Sequence, residues 1–280
     1  MTVLVLGASS QIGHFLLPRL REAGHDVLAL SRRPQPVQAG VRWIEGALPD
    51  AMPSELPPLS AIVSYGPLLP FARWLAQAPL GGSLHVVATS SMSAETKRSS
   101  AVAAERAISQ QLRDGEQALA TVCEARGLAW TVLRPTIVYG AGLDRSLTPI
   151  ARRATRLRIF PLPAGRGLRQ PVHADDIAQA SVVALQSTAA AGQVIPIGGG
   201  ERLPAREMFA RVRRSLPVAT LSLPLPGAAL RLGARLVPKL RGPLVRLEED
   251  LVADNTTLTR LLGVQPRPFR PEPRCWEPER

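Results

Sequence analysis

The sequence predicts an α/β fold in which a doubly wound parallel sheet carries a small C-terminal substrate lobe. Up to residue 135, short apolar segments alternate with segments of helical periodicity, which is the pattern of a parallel sheet with crossover helices. After Pro135 the character changes, because proline, glycine and arginine become frequent and extended segments become short. We therefore expect one large domain followed by a smaller lobe.

The first half predicts six strands and the helices between them. The apolar run at the N-terminus is typical of a strand buried on both faces. The expected strands are Thr2–Leu6, Asp26–Ser31, Val41–Glu45, Ala61–Ser64, Ser83–Ala88 and Ala129–Leu133. Helices are expected over Gln11–Ala23 and Ser99–Arg126, since each is followed by a glycine suited to end it.

The second half predicts a strand over Gln193–Ile197, helices over Pro204–Ser215 and Leu225–Val237, and a proline-rich irregular tail from Pro266. We place the large domain at residues 1–140, with residues 166–187 returning to it. The lobe and tail then comprise residues 141–165 and 188–280.

Composition narrows the class of protein. The formal net charge of +12 over 280 residues is carried almost entirely by arginines that are spread along the chain. This pattern favours solvated arginines, and we expect no nucleic-acid partner. Cys123 and Cys275 form no CxxC pair, so a disulfide framework and a cysteine zinc site are both unexpected, and a reducing cytoplasm is favoured.

Other classes of site and segment are also unexpected. The four histidines lack ligand spacing, so we expect no metal site. We see neither a signal peptide nor an apolar run of the roughly 20 residues that a transmembrane helix needs. The pattern leaves monomer and homodimer open as the oligomeric state.

The turn after the first strand is the strongest functional motif. Gly7, Ser10 and Gly13 have GxxGxxG spacing, with serine in the middle place. The first glycine permits a sharp turn and the last permits close packing of the helix on the sheet, so that free amides of the helix N-terminus face a diphosphate. This context predicts a Rossmann-type dinucleotide site, with Ser9, Gln11 and Ile12 also in the turn.

The end of the second strand selects the dinucleotide. The sequence has Ser31, Arg32 and Arg33 there and no acid. A carboxylate would bind the ribose 2′-hydroxyl of NAD, whereas a guanidinium can bind the 2′-phosphate of NADP. We therefore expect NADP in preference to NAD; the alternative is that both arginines are solvated surface residues.

Further stretches extend the pattern over most of the chain. They are "VLVLGASSQIG", "LHVVATSSMSA", "LAWTVLRPTIVYGAGLDR", "GLRQPVHADDIAQA" and "EEDLVADNTTLTRLLGVQPRPF". In this order they resemble the extended short-chain dehydrogenase/reductases, in an atypical form, and specifically the NAD-dependent epimerase/dehydratase group. The resemblance implies that the cofactor is lined by Ser64, Tyr65, Gly66, Thr89, Ser90 and Pro135. Gly46-Ala47-Leu48 lacks the acid that often contacts adenine in the family, so that contact is not transferred.

The catalytic pair of the resembling family is missing. The family uses a serine or threonine with a Tyr-x-x-x-Lys on the next helix, where the tyrosine moves a proton. Ser91 matches the serine. If Glu116 is the family's helix glutamate, Ile108 stands for the tyrosine and Leu112 for the lysine. The nearest lysine, Lys97, is far up the preceding loop.

Two functions remain open. The protein is an oxidoreductase or epimerase acting on a small polar or nucleotide-sugar substrate, with Ser91 polarising an oxygen and Tyr139 at the lip of the cleft as substitute acid. Arg106 and Arg113 are further candidate acids, and Arg169 and Arg145 could bind an anionic substrate. Otherwise it is an NADP-binding sensor or scaffold.

Two segments have alternative interpretations. Asp175 and Asp176 could cap a helix that begins at Ile177. The stretch Gly227–Arg246 interleaves leucines with basic residues. It is interpreted either as a lid with a solvated arginine face or as a basic amphipathic helix on a membrane or partner surface.

Overall fold

Seven parallel strands form the central sheet of the protein, seen in a computed structural model that describes residues 1–81, 84–225 and 247–277. The strands of the sheet are β1 Thr2–Leu6, β2 Asp26–Ser31, β3 Val41–Glu45, β4 Ala61–Ser64, β5 His85–Thr89, β6 Ala129–Pro135 and β11 Gln193–Ile197. Their order is β3-β2-β1-β4-β5-β6-β11, so the direction of strand addition reverses between β1 and β4. This is the Rossmann order with one strand added beyond β6.

Helices cover both faces of the sheet. They are α1 Gln11–Glu22, α2 Leu68–Gln77, α3 Ser93–Thr96, α4 Ala103–Ala125, α5 Thr148–Leu157, α6 Ala174–Ala184, α7 Ala205–Arg214 and α8 Thr256–Leu262. Alternate residues of β1 serve the two layers. Val3 and Val5 pack in the core that includes α1 and α6, and Leu4 and Leu6 pack in the core that includes α2 and α4. The predicted doubly wound fold is confirmed.

Short strand pairs build the lobe. They are β7 Val138–Tyr139 with β10 Val172–His173, β9 Leu168–Arg169 with β12 Leu203–Pro204, and β8 Ile159–Pro163 with β13 Leu221–Leu225. A third core joins them to α5, α7 and the C-terminal segment, with Phe160, Met208, Phe269 and Trp276 as its large members. The 3₁₀ turn Pro273–Trp276 ends the described chain near that core.

The bounds of five of the seven sheet strands agree with the predicted ones. β1, β2, β3, β4 and β11 have the predicted bounds, and β6 continues two residues further, to Pro135. The long helix α4 begins at Ala103 instead of Ser99, because Ser100 accepts the amide of Val102 and donates to Glu105, which forms a turn before the helix. Helices α2 and α5 were not predicted.

Two observations bear on the expected domain boundaries. Helix α6 packs on α1, so the segment 166–187 does contact the large domain. Strand β11 pairs with β6 in the central sheet, and a boundary at residue 188 therefore leaves one sheet strand on the lobe side. The basic stretch Gly227–Arg246 lies outside the described residues. The helix expected over Leu225–Val237 also lies outside them, apart from Leu225. No helix in the described part is long and apolar enough to cross a membrane.

Candidate functional site

A cleft of about 1010 Å³ opens at the carboxyl ends of the strands, beside the point where the strand order reverses. Open α/β sheets bind ligands at this position. Its walls are formed by Leu6, Gly7, Ser9, Ser10, Gln11, Ile12, Leu30, Ser31, Arg32, Gly46, Ala47, Leu48, Tyr65, Gly66, Pro67, Ser91, Ser93, Thr136, Ile137, Val138, Leu143, Asp144, Arg145, Ser146 and Leu251. Many of the residues expected around a cofactor are among them.

The glycines of the first turn are required by their neighbours. Gly7 has φ +76°, and a Cβ there would lie 3.2 Å from the Cβ of Tyr65. A Cβ on Gly13 would lie 2.1 Å from the carbonyl oxygen of Ala8. Only glycine is therefore accommodated at either place without moving backbone.

Ser10 begins helix α1 as its N-cap. Its Oγ accepts the backbone N–H of Gly13 at 3.2 Å, and its own amide donates to the carbonyl of Gly7 at 2.9 Å. Because the Ser10 oxygen already accepts one bond, its hydroxyl proton is left to donate into the cleft.

This end of the cleft fits the diphosphate of a dinucleotide. The first turn of α1 has no acidic residue, so nothing there opposes an anion. The side-chain Oε1 of Gln11 is buried without a hydrogen-bond partner, although the residue lines the cleft. A diphosphate cannot satisfy this acceptor, because its oxygens only accept hydrogen bonds, whereas a ribose hydroxyl of the dinucleotide could donate to it.

The two arginines after β2 differ in position. Arg32 lines the cleft, whereas Arg33 is exposed and does not. The Oγ of buried Ser31 accepts the amide of Arg33 at 3.2 Å and Nε2 of Gln35 at 3.0 Å, which holds the loop that follows the strand. Of the predicted pair, Arg32 alone is placed to meet a ligand in this cleft.

Among the expected cofactor residues from β4 onwards, Tyr65 and Gly66 line the cleft, and the others do not. The hydroxyl of Tyr65 donates to Oγ of Ser181 at 2.9 Å, and burial raises the pKa of that tyrosine. Buried Ser64 accepts the amide of Gly66 at 3.4 Å. Six expected cofactor residues are not among the lining residues: Gly13, Arg33, Ser64, Thr89, Ser90 and Pro135. The last four of these end or follow strands β4, β5 and β6, at the carboxyl edge of the sheet where the cleft opens.

Ser91 lies in the wall of the cleft. Its Oγ accepts the backbone N–H of Ser93 at 3.2 Å. That bond uses one lone pair and leaves the Ser91 proton free to be donated to a ligand oxygen. The serine therefore satisfies a loop amide and also presents a hydrogen-bond donor.

Tyr139 does not lie at the lip of the cleft. Its side chain is 1 % exposed, and its ring packs edge-on against His173 and Phe269 at centroid distances of 5.0 and 4.8 Å. Burial raises its pKa, and its hydroxyl is hydrogen-bonded to the backbone of Arg270. The expected position as substitute acid is not observed, because the C-terminal segment covers the ring.

Arg145 and Arg169 also separate. Arg145 is exposed in the wall of the cleft. Arg169 is 5 % exposed, and its Nη1 donates to the carbonyl oxygens of Leu168 and Glu249 at 2.8 and 2.6 Å. Arg169 therefore holds the chain near residue 249 and does not reach the cleft. The more distant candidates Arg106 and Arg113 donate to Ser100 and Gln110, and neither lines the cleft.

The aspartates of the VHADD segment are not N-caps. Helix α6 begins at Ala174, and its N-cap is His173, whose Nδ1 accepts the amide of Asp175 at 3.1 Å. Asp175 binds Arg19 and Arg267, and Asp176 binds Arg267. These ion pairs hold the C-terminal segment against α1 and α6.

The helix that should carry the tyrosine and lysine holds neither. Ile108 is 42 % exposed and Leu112 is half-buried, so the chain's substitutes are apolar. Glu116 is buried and accepts both Nε and Nη2 of Arg134, which ties α4 to β6. Among the described residues that line the cleft, the charged side chains are Arg32, Asp144 and Arg145.

Asp144 is a structural acid. Its Oδ1 accepts the amides of Ser146, Leu147 and Thr148 at 2.8, 2.6 and 3.1 Å. The carboxylate therefore caps α5 from inside the loop. The sequence reasoning missed this loop, although an aspartate followed four residues later by a threonine and a proline is a signal of a helix start.

Within the described ranges, no three His, Cys, Asp or Glu side chains come together as a metal site. Sequence reasoning also missed lining residues after β4 and β5, such as Pro67 and Ser93, and others after β6 and near residue 251. Strand-end positions such as Thr136 and Ile137 could have been suspected, because β6 ends at the same edge as β1. Leu251 could not, since a long stretch of chain separates it from the sheet.

Known proteins share this architecture. MoeE5 in complex with UDP-glucuronic acid and NAD aligns with a TM-score of 0.72 and 20% identity over 96% of this chain and 94% of that one. UDP-glucuronic acid 4-epimerase from Bacillus cereus, in complex with UDP-glucuronic acid and NAD, aligns with a TM-score of 0.73 and 18% identity over 95% and 94%. At these identities the likeness shows the fold.

Sequence relatives extend the comparison. The (4-alkanoyl-5-oxo-2,5-dihydrofuran-3-yl)methyl phosphate reductase of Streptomyces griseus is 29% identical over 96% of this chain and 95% of its own length. A UDP-glucose 4-epimerase of Vibrio cholerae is 26% identical over 55% of this chain and 47% of its own length. The family model for NAD dependent epimerase/dehydratases matches residues 3–53 and 86–198, which is more than half of the chain. The protein belongs to the NAD-dependent epimerase/dehydratase family.

Proposed function

We propose that the protein is an NADP(H)-dependent reductase of a small anionic carbonyl compound. The observation that carries this proposal is the combination, in one cleft, of the glycine turn, Arg32, and a wall that offers hydroxyl donors without the family's tyrosine and lysine. The reductase from Streptomyces griseus, whose named substrate is a phosphate ester with carbonyl groups, supports it.

The cofactor would lie along the ends of β1, β2 and β4. Amides at the start of α1 would hold the diphosphate, and Arg32 would bind the 2′-phosphate of the adenosine ribose. No carboxylate stands at the end of β2 to bind a 2′-hydroxyl instead. The solved relatives named above hold NAD, so the preference for NADP rests on Arg32 of this chain.

Ser91 would bind the oxygen on which negative charge develops. The reduced nicotinamide supplies a hydride when bound. A donor placed at a developing oxyanion lowers the barrier without itself losing a proton. Simple ketones also need a proton at that oxygen, whereas an enolate spread over two carbonyl groups needs less acid assistance. The cleft's hydroxyl donors therefore suit an activated, conjugated carbonyl compound.

Epimerisation of a nucleotide sugar is less well supported. That reaction requires a base that removes a hydroxyl proton, and the charged side chains in the described wall are two arginines and an aspartate committed to α5.

An NADP-binding sensor or scaffold is the second candidate, and the absent tyrosine–lysine pair favours it. We propose that the protein is located in the cytoplasm, because a reducing compartment suits its two free, buried cysteines.

The test has two steps on the purified full chain. Calorimetric titration with NADPH and NADH should give tighter binding of NADPH. The protein is then assayed for turnover of conjugated enones, simple ketones and UDP-glucose, with NADPH consumption measured by its absorbance. We expect activity with the enones. Binding without any turnover would favour the sensor, and failure to bind either dinucleotide at millimolar concentration would refute the proposal.

A further inference from the structure

The loop from Gly142 to Ser146 presents exposed side chains to the cleft. Asp144 in its middle is 9 % exposed, while Leu143 on one side is 48 % exposed and Arg145 on the other is exposed as well. All three line the cleft. The alternation arises because the carboxylate turns inward to the start of α5, which directs its two neighbours outward.

The loop is held from both ends. The amide of Gly142 donates to the carbonyl of Cys275 at 2.9 Å, and its carbonyl accepts Nη2 of Arg152 at 2.6 Å. At the other end, Asp144 accepts the amide of Leu147 at 2.6 Å. A loop fixed in this way loses little conformational freedom when it binds a ligand.

Arg145 offers a charge to an anion. It forms no hydrogen bond or ion pair with other described residues, and it is one of two arginines in the described part of the wall. The amides at the start of α5 cannot take the anion instead, because Asp144 already occupies them. An anionic ligand in this part of the cleft would therefore be held by the guanidinium.

The cleft wall that includes Arg145 also has apolar members. Leu143, Ile137, Val138 and Leu251 line this cleft as well. An exposed leucine beside an unpartnered arginine suits a ligand that carries both an alkyl chain and an anionic group. The hydroxyls of a nucleotide sugar would gain no hydrogen bond from these four apolar side chains.

We infer that the substrate is an alkyl- or acyl-bearing phosphate monoester, with its phosphate on Arg145 and its chain against Leu143 and Leu251. This inference rests on the proposed function and names the substrate class of the same site. It separates two of the chain's own side chains by role: Arg145 sets the affinity for phosphate, and Leu143 sets the dependence on chain length.

The test is calorimetric titration of the full chain with methyl phosphate, hexyl phosphate and UDP-glucose, with and without saturating NADP. We expect each buried methylene to tighten binding by up to roughly fourfold, so hexyl phosphate should bind at least tenfold more tightly than methyl phosphate. Arg145→Gln should weaken both phosphates by a similar factor. Leu143→Ser should reduce the difference between them.

The control variant is Arg153→Gln, which removes an exposed arginine of α5 that does not line the cleft and should change neither affinity. Equal affinity for the two phosphates, or stronger binding of UDP-glucose than of hexyl phosphate, would overturn the inference. So would unchanged binding by Arg145→Gln with an unchanged melting temperature. A separate titration of the same protein samples with NADP accompanies these measurements, and failure to bind NADP would instead count against the proposed function.

Discussion

The Nδ1 atom of His173 accepts a hydrogen bond from the backbone amide of Asp175 at 3.1 Å. The imidazole thus caps helix α6 and is neutral in this role, because a protonated Nδ1 cannot accept. Burial, with Arg267 as the next cause, lowers the pKa of His173 from 6.5 to about 4. The helix start and the aromatic contacts of the ring depend on the same uncharged group.

This relationship predicts an acid dependence of stability. The folded pKa is below the unfolded value, so the contribution of His173 is complete above pH 6.5 and is lost as the pH falls from 6.5 towards 4. The loss amounts to at most about 3 kcal/mol in the free energy of unfolding. Urea denaturation at a series of pH values should show it.

His173→Asn is the matched variant, since an asparagine oxygen can cap the helix without titrating. The difference between the wild-type and variant curves isolates the histidine from Asp175, whose pKa is lowered by its arginine partners, and from Asp176, whose pKa is raised by burial. Parallel curves between pH 6.5 and 4 would contradict the assignment.

A second prediction concerns the ion pairs on Asp175. Arg19 binds it with Nε and Nη2 at 2.6 and 2.9 Å, and Arg267 binds it at 2.6 Å. Because either arginine can partly neutralise the carboxylate, Arg19→Met and Arg267→Met should each cost about 1–2 kcal/mol, and the double variant should cost more than their sum. Urea unfolding of the four proteins measures this coupling. Simple additivity would show that the two arginines act independently.

Arg32 and Arg33 provide a matched pair for the cofactor. Arg32 lines the cleft and Arg33 does not. Arg32→Asp should weaken NADPH binding by about 100-fold, since it replaces a charge-assisted bond with repulsion, and should affect NADH far less. Arg33→Asp should change the ratio of the two affinities by no more than about threefold. Equal effects of the two substitutions on NADPH would remove Arg32 from the 2′-phosphate.

Gly13 tests the packing of the turn. A Cβ at this position meets the carbonyl oxygen of Ala8, whereas a Cβ on Gly81 meets nothing within 4 Å. Gly13→Ala should therefore lower the melting temperature and weaken both dinucleotides by tenfold or more, and Gly81→Ala should leave both properties unchanged. Normal dinucleotide binding by Gly13→Ala would show that the turn can shift without loss of the site.

The strands could be predicted because their signal is local. A run such as Val3–Leu6 is apolar at every position and is buried on both faces, so neighbours along the chain already define it. The motif turn could be predicted for the same reason. Helix α2 was missed because Pro67 and Pro70 suggest a loop, although proline is tolerated in the first turn of a helix.

The positions of Tyr139 and Arg169 could not be predicted from local pattern. Tyr139 is covered by Phe269 and Trp276 from the C-terminal segment, and Arg169 is bound to the carbonyl of Glu249. These partners are distant in sequence, and the residues next to Tyr139 and Arg169 give no indication of the contacts. The same limit applies to Asp175, whose arginines come from α1 and from the C-terminal segment.

The last prediction separates Ser91 from Tyr139 by role. Ser91 lines the cleft with a hydroxyl proton to donate, and Tyr139 is buried away from it. With a substrate found in the turnover panel, Ser91→Ala should lower kcat by about 100-fold, as expected for the loss of one oxyanion donor, without changing NADPH affinity. Tyr139→Phe should keep kcat and should lose about 1 kcal/mol of stability, because only the bond to the Arg270 backbone is removed. Stopped-flow reduction and urea unfolding measure the two effects. If Tyr139→Phe abolished turnover in a protein of normal stability, the buried tyrosine would have to reach the substrate through a rearrangement of the C-terminal segment, and Ser91 would lose its place as the principal donor.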